Sequence, residues 1–192
     1  MANESSNYGD AFGQFDRLPF PIGEKRAAAD FPEIDKLAGM VVRGRQGFKA
    51  RLVRLNIAAG LTAALAECRA FAYTLQTTGT SPETCDVELA LLGGATPNKR
   101  VIGHSAPEQI VLVDNDLFWV VFGGPYVWGT LGDDAGTIAV GEYVGIDDDA
   151  DKGKLKTHDT TFDPEYSIGI AIDAAAANDV QFRFKPLYDL VG

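Results

Sequence analysis

Four side chains of the sequence could ligate zinc: Cys68, Cys85, His104 and His158. Structural zinc sites use pairs of ligands about two to five residues apart. No two of these four residues have that spacing, so the sequence predicts no metal site. Two cysteines are also too few for a dense disulfide framework. A reducing compartment therefore fits the sequence best, and a single bridge between the two cysteines stays open.

An acidic run, Asp147 to Asp151, is similar to a calcium-binding loop, because hard cations prefer several carboxylate ligands on a tight turn. The helical calcium motif requires glycine at its sixth position and glutamate at its twelfth, where Lys152 and His158 stand instead. Strand-like residues on both sides of the run indicate the tip of a hairpin. We therefore expect no metal and no other cofactor.

Nucleophilic catalysis requires a nucleophile, a base and an orienting acid that converge in space. The suggestive pairs are Ser105 beside His104 and His158 beside Asp159. The first pair follows Gly103, but it lacks the second glycine and the strand–turn–helix setting of a hydrolase elbow. These signals are weak, and they favour a protein that is not an enzyme.

Both tryptophans of the chain lie in one aromatic segment, residues 118–129. Exposed rings of Trp119, Tyr126 and Trp128 would suit stacking against sugars, which makes a carbohydrate-binding or host-adhesion domain the alternative function. Apolar residues on both phases of the predicted strand favour a central strand or an interface instead. We therefore assign these three rings to the core or to a subunit interface.

Charge is distributed unevenly along the chain. The net charge is −10 at pH 7, and residues 111–192, with 15 acidic and 5 basic side chains, account for all of it. An acidic chain repels phosphate backbones and anionic lipid, so we expect neither nucleic acid nor a membrane as a partner. A local basic patch, Arg43, Arg45 and Arg51, suits contact with an acidic protein surface.

Residues 1–38 are predicted to form an extended N-terminal arm, and residues 39–192 a β-rich domain. Three prolines in the arm oppose a regular helix. Disordered tails usually lack aromatic side chains, whereas this segment contains five: Tyr8, Phe12, Phe15, Phe20 and Phe31. We therefore expect these rings to lie on an apolar surface, either of their own domain or of a partner subunit.

Short strands between turn signals are predicted for the rest of the chain. Frequent glycine, 21 of 192 residues, and the near absence of a helical period indicate an all-β, compact barrel or sandwich of short antiparallel strands. Apolar residues alternate on one phase at 48–52 and on the opposite phase at 53–57, which predicts a bulge between them. Further strands are predicted at 69–77, 86–92, 99–104, 110–113, 117–122, 137–146, 154–157, 166–172 and 180–185.

One pattern occurs twice: a strand that contains glycine leads through a linker to an Asn-Asp turn and a final strand. The two copies begin at Ile102-Gly103 and at Ile168-Gly169, with turns at Asn115-Asp116 and Asn178-Asp179. We interpret them as similar hairpins in one domain. Together with the aromatic strand that ends in Gly123-Gly124-Pro125, this repeated sequence pattern resembles that of the head decoration, or cement, proteins of tailed bacteriophages. The resemblance covers residues 100–186.

The resemblance implies a β-rich, often trimeric virion protein without catalytic residues, which binds the outside of the assembled capsid and braces neighbouring capsomers. The major capsid protein would be its partner, and assembly would take place in the host cytoplasm. The five aromatic residues of the arm would be the first candidates for contact with the capsid or a neighbouring subunit, and the basic patch the second. Deletion of residues 1–37 would then leave a folded domain that no longer binds capsids.

Overall fold

The computed structural model describes residues 18–56, 67–73, 85–89, 101–132, 136–146, 153–157, 167–176 and 182–187. In these residues two sheets dominate, and helix is limited to short turns, so the predicted all-β class is confirmed. The helical turns are α1 (Pro32–Asp35) and a 3-10 turn (Arg45–Gly47). The strands are β1 (Lys25–Ala27), β2 (Val41–Arg43), β3 (Lys49–Leu55), β4 (Ala70–Tyr73), β5 (Asp86–Leu89), β6 (Val101–His104), β7 (Asp116–Gly123), β8 (Val127–Gly129), β9 (Tyr143–Ile146), β10 (Leu155–Thr157), β11 (Ser167–Ala171) and β12 (Phe182–Pro186).

The first sheet closes into a five-stranded barrel. β7 pairs with both β6 and β3, and β4 and β5 complete the circuit between β6 and β3. β1 and β2 extend the sheet beside β7 and β3. The β3–β5 pair is parallel, so the prediction of antiparallel strands is wrong for this pair. It is confirmed for the other strand pairs of the described residues.

The barrel interior is filled by one face of each of its strands. Phe118 and Val120 of β7 point inward, and the ring of Phe118 is tilted against that of Phe71, with centroids 4.8 Å apart. Large apolar side chains of this kind contribute roughly 1.5–3 kcal/mol each when fully buried. The interior cluster consists of Val53, Leu55, Phe71, Val87, Leu89, Ile102, Leu112, Phe118 and Val120.

The second sheet packs on the outside of the barrel. Its strands follow the order β10-β9-β11-β12-β8, all antiparallel to their neighbours. Between this sheet and the barrel lies the larger apolar cluster, which includes Leu52, Trp119 and Val121 from the barrel and Val144 and Phe184 from the second sheet. In the described residues there is no helix of the length and apolar character that crossing a membrane requires.

The change of phase in β3 has a different cause from the predicted bulge. Ala50 and Leu52 belong to the cluster between the sheets, whereas Val53 and Leu55 belong to the barrel interior. Both faces of the strand are therefore buried, and the apolar pattern passes from one face to the other without a break in the strand. An irregularity in the pairing with β7 does occur, but earlier, between Lys49 and Ala50.

The two predicted hairpins are confirmed as antiparallel neighbours, one pair in each sheet: β6 with β7, and β11 with β12. The glycine of each first strand permits close contact with the second strand. A Cβ atom on Gly103 would lie 2.9 Å from the carbonyl oxygen of Val121, and one on Gly169 would overlap the ring of Phe184. The repeated Ile-Gly pattern therefore marks positions where a side chain would separate two strands.

Two predicted strands are wrong in part or in whole. Residues 110–113 form a loop that buries Leu112 in the end of the barrel and exposes Ile110, Val111 and Val113. Of residues 137–146, only β9 (Tyr143–Ile146) is a strand, and Ile138 forms an isolated bridge to Ala175. Both segments are rich in apolar residues, but only some of these are buried: Leu112 in the first, and Ile138, Val144 and Ile146 in the second.

Residues 18–38, which the sequence analysis assigned to the arm, contribute a strand and core side chains. β1 pairs with β7, and Lys25 Nζ lies 2.7 Å from the carboxylate of Asp116, whose side chain is 3% exposed. The same carboxylate accepts a hydrogen bond from the backbone N–H of Val113. Ile34 of α1 is buried in the large cluster. This part of the chain is therefore integrated with the two sheets.

Candidate interaction surfaces

The aromatic residues of the predicted arm have two different outcomes. Phe20 is 2% exposed and its ring lies 5.8 Å from that of Trp119, so Phe20 faces its own core and not a partner. Phe31 packs half-buried against the same cluster, and the guanidinium of Arg26 lies over both phenyl rings. The other three rings of the set, Tyr8, Phe12 and Phe15, lie outside the described residues.

The three rings of the aromatic segment also lie in different environments, one in the core and two at the surface. Trp119 is fully buried, and its indole N–H donates a hydrogen bond to the carbonyl oxygen of Phe20 over 3.0 Å. Trp119 is therefore a core residue and is inaccessible to a ligand. Tyr126 and Trp128 are half-buried and pack edge to face, with ring centroids 6.2 Å apart. These two rings form an aromatic surface at β8, the edge strand of the second sheet.

An arginine joins this aromatic surface. The guanidinium of Arg183 in β12 lies 5.2 Å from the ring centre of Tyr126 and 6.0 Å from that of Trp128. It also donates two hydrogen bonds to the carboxylate of Asp173, over 2.6 and 2.8 Å. These hydrogen bonds hold the pKa of Asp173 below its ordinary value, while burial raises the pKa of Tyr126. Sequence reasoning missed Arg183 and Asp173, since they lie 55 and 45 residues from Trp128 along the chain.

The basic patch divides into two exposed arginines and one that is half-buried and held by contacts within the chain. Arg43 at the end of β2 and Arg45 in the following turn are exposed. Arg51 of β3 is directed instead towards the mouth of the barrel, where it donates a hydrogen bond to the hydroxyl of Tyr73 and lies over the ring of Phe122. The structure thus assigns Arg51 to contacts within the chain, and Arg43 and Arg45 to the surface.

A further arginine of the same sequence region forms hydrogen bonds that link α1 to the barrel. Arg54 donates a hydrogen bond to Asp86 over 2.8 Å and contacts Asp35 of α1 at 3.2 Å. The hydrogen bond to Asp86 is the main reason that the pKa of Arg54 is raised. Arg54 is therefore neutralised locally and adds little to the surface charge of the patch.

Both cysteine thiols are free. Cys68 is buried, and Cys85 lies against Gly39, where a Cβ atom would come within 2.8 Å of the sulfur. Burial raises the pKa of both thiols, which lowers the thiolate fraction on which nucleophilic reactivity depends. In the described part of the chain, no three His, Cys, Asp or Glu side chains are grouped so that they could hold a metal ion. The acidic run at 147–151, His158 and Asp159 lie outside that part.

The candidate serine–histidine pair is buried. His104 and Ser105 are both 0% exposed, and the Ser105 hydroxyl accepts a hydrogen bond from the backbone N–H of Arg69. The imidazole packs edge to face on Phe184 of the second sheet, with ring centroids 5.0 Å apart. Burial lowers the pKa of His104 to about 3. A neutral imidazole between the two sheets is thus part of the core.

This burial predicts a pH dependence of stability. Below pH 6.5, the unfolded chain takes up a proton at His104 that the folded chain does not, down to the folded pKa of about 3. The free energy of unfolding should therefore decrease as the pH is lowered through this window. The contribution of His104 is at most about 1.4 kcal/mol per pH unit. Urea unfolding at pH 7, 6 and 5 will measure this slope, with His104→Leu as the comparison. The wild type should lose stability faster than the variant on acidification, and parallel curves would contradict the prediction.

The described residues define an all-β protein of two packed sheets, with an aromatic surface, an exposed basic turn and a buried histidine. No protein-family model and no curated protein matches the chain. A solved structure that is similar is the N base of the head fiber protein gp8.5 of bacteriophage phi29. The identity is 14% and the TM-score 0.44, over 72% of this chain and 93% of that chain. Similarity at this level transfers neither fold nor function.

Proposed function

We propose that the protein is a structural component of a phage virion, which binds the outside of the assembled capsid and braces neighbouring capsomers. The observation that carries this proposal is the resemblance of residues 100–186 to head decoration proteins. The glycines of its two repeated motifs, Gly103 and Gly169, lie where one strand contacts the next, so the motifs coincide with requirements of the fold.

Two further observations support a binding role without catalysis. The serine and histidine that could have formed a nucleophilic pair are inaccessible to a substrate, because both are fully buried. In contrast, several large apolar side chains are exposed, among them Ile110, Val111 and Val113 in the loop before β7, each about half exposed. Exposed apolar groups that lie together are typical of protein–protein contact surfaces.

The physical effect of such a protein follows from linkage. A protein that binds the assembled shell, and not the separate subunits, stabilises the shell by the free energy of its own binding. The major capsid protein is the proposed partner, and a homotrimer is the proposed form, because three copies of a weak contact around one axis raise the avidity. The arm residues Tyr8, Phe12 and Phe15 remain proposed contacts.

Sedimentation with capsids tests the proposal. Heads assembled without this protein are incubated with it and pelleted, after its native mass has been determined by light scattering. We expect a trimer that pellets with the heads and raises the temperature at which they disrupt, and a variant that lacks residues 1–17 should bind more weakly. A wild-type monomer that stays in the supernatant would contradict the proposal.

A carbohydrate-binding or host-adhesion function is the competing proposal, and one observation favours it. Tyr126 and Trp128 are partly exposed beside the Arg183–Asp173 ion pair, and aromatic faces next to polar groups suit sugar ligands. Trp119 has no part in it, because it is buried. Protein that does not bind heads, but whose tryptophan fluorescence responds to glycans, would favour this function.

A further inference from the structure

The outer edge of β2 carries the strongest unassigned feature of the surface. β2 (Val41–Arg43) stands at the end of its sheet and pairs on one side with β3. In the described part of the chain no strand pairs with its other side. An unpaired strand edge presents backbone N–H and C=O groups that can bind another strand.

The register shows which backbone groups face outward. Val42 is opposite Ala50. On either side of this pair, the N–H of Gly44 donates to the carbonyl of Phe48 and the N–H of Leu52 donates to the carbonyl of Met40. In an antiparallel ladder, the residues of one strand point their backbone groups alternately towards and away from the partner. The N–H and C=O groups of Val41 and Arg43 therefore point away from β3.

The side chains at this edge are an exposed valine and two exposed arginines. Val41 is 43% exposed, and Arg43 and Arg45 are both exposed. No carboxylate of the described residues lies within ion-pair distance of either arginine, whereas Arg54 of the same region has two such partners. The edge therefore presents exposed positive charge together with its outward backbone groups.

The charge of this region contrasts with that of the whole protein. Residues 36–66 contain six basic side chains and no acidic one, although the net charge of the chain is −10. Two of the six, Arg51 and Arg54, are held by contacts within the chain. A positive strand edge on an otherwise acidic protein selects, by charge complementarity, a partner segment with negative side chains.

We propose that the outer edge of β2 binds an extended acidic segment of a partner protein as an added β-strand. The outward backbone groups of Val41 and Arg43 pair with the segment, and Arg43 and Arg45 contact its carboxylates. Main-chain hydrogen bonds supply affinity in this mode of recognition, and side chains supply specificity. The inference rests on the proposed function, since it names a surface that the capsid partner would use.

Fluorescence anisotropy with a labelled peptide tests the inference on the isolated protein. The probe is an eight-residue peptide of alternating valine and glutamate. One comparison peptide has lysine in place of glutamate, and another has N-methyl groups on alternate residues along the edge that would pair with β2. We expect saturable binding of the glutamate peptide only, weakened by 0.5 M NaCl because salt screens exposed charges. No binding of the glutamate peptide, or equal binding of the N-methylated one, would overturn the inference.

Three variants separate the edge from the remainder of the surface. Val41→Pro removes an outward N–H without removing a hydrogen bond to β3, and Arg43→Glu reverses one of the two charges. We expect each to weaken peptide binding at least tenfold. Lys185→Glu, at an exposed position of β12, changes the net charge equally and should change affinity less than twofold. If Val41→Pro does not fold, Arg43→Glu decides, and wild-type affinity in that variant would overturn the inference. The assay contains no capsids, so its failure would leave the proposed function to its own test.

Discussion

Deletion of residues 1–37 is expected to unfold the protein, whereas deletion of residues 1–17 is expected to leave both sheets folded. The longer deletion removes β1 together with the buried side chains of Phe20, Ile22 and Ile34. It also leaves the carboxylate of Asp116 without Lys25, and the indole N–H of Trp119 without the carbonyl of Phe20. The shorter deletion retains every strand and both apolar clusters of the described residues.

The magnitudes make loss of folding the expected result. Loss of Lys25 removes the cation beside the nearly buried carboxylate of Asp116, and an unsatisfied buried donor costs about 1–3 kcal/mol. With the three buried side chains, this loss is comparable with the whole stability of a typical domain, about 5–15 kcal/mol. Circular dichroism and urea unfolding of the two truncated proteins will measure the difference. A cooperative transition of the longer deletion at the wild-type midpoint would contradict this prediction and support a domain boundary at residue 38.

Trp119→Ala is expected to destabilise the protein far more than Trp128→Ala. Trp119 is fully buried between the barrel and the second sheet, contacts Phe20 and donates an indole hydrogen bond. Truncation of a buried tryptophan typically costs about 3–5 kcal/mol. Trp128 is half-buried at the surface, so its loss should cost only about 1 kcal/mol.

The two variants are matched, because they make the same substitution nine residues apart. Urea unfolding monitored by circular dichroism gives both free energies without relying on the fluorescence that the variants alter. In the folded state, Trp128→Ala retains the buried tryptophan and should emit at shorter wavelength than Trp119→Ala. Equal destabilisation by the two substitutions would contradict the assignment of Trp119 to the core and Trp128 to the surface.

The fold class was predictable from the sequence, because short runs of alternating apolar residues bounded by glycine are typical of strands and rare in helices. The N-terminal strand was not predictable. β1 is three residues long and two of them are charged, so it has no apolar pattern of its own. Its position depends on β7 and on the contact between Lys25 and Asp116, which are 91 residues apart. A strand of this kind can be identified only when the position of its partner strand is known.

The roles of single side chains on the candidate surfaces were likewise not predictable from the local sequence. Arg43, Arg45 and Arg51 lie close together in the sequence, yet Arg51 contacts Tyr73 and Phe122 of its own chain. The aromatic segment likewise contains one core ring, Trp119, and two surface rings. Residue type identified these side chains as notable, but their roles depend on which neighbouring strands cover them.

The closure of the barrel determines when the chain can fold during synthesis. β3 ends at Leu55, but its pairing partner β7 spans Asp116–Gly123, so the ring cannot close until β7 has also left the ribosome. β1 is synthesised before β3, and it also cannot pair until β7 is available. Until then the edge of β3 that pairs with β7, and the apolar faces of the strand, lack their partners. Pairing between residues so distant in sequence also makes folding slow, so the apolar faces of β3 should stay exposed longer than those of a protein whose contacts are local.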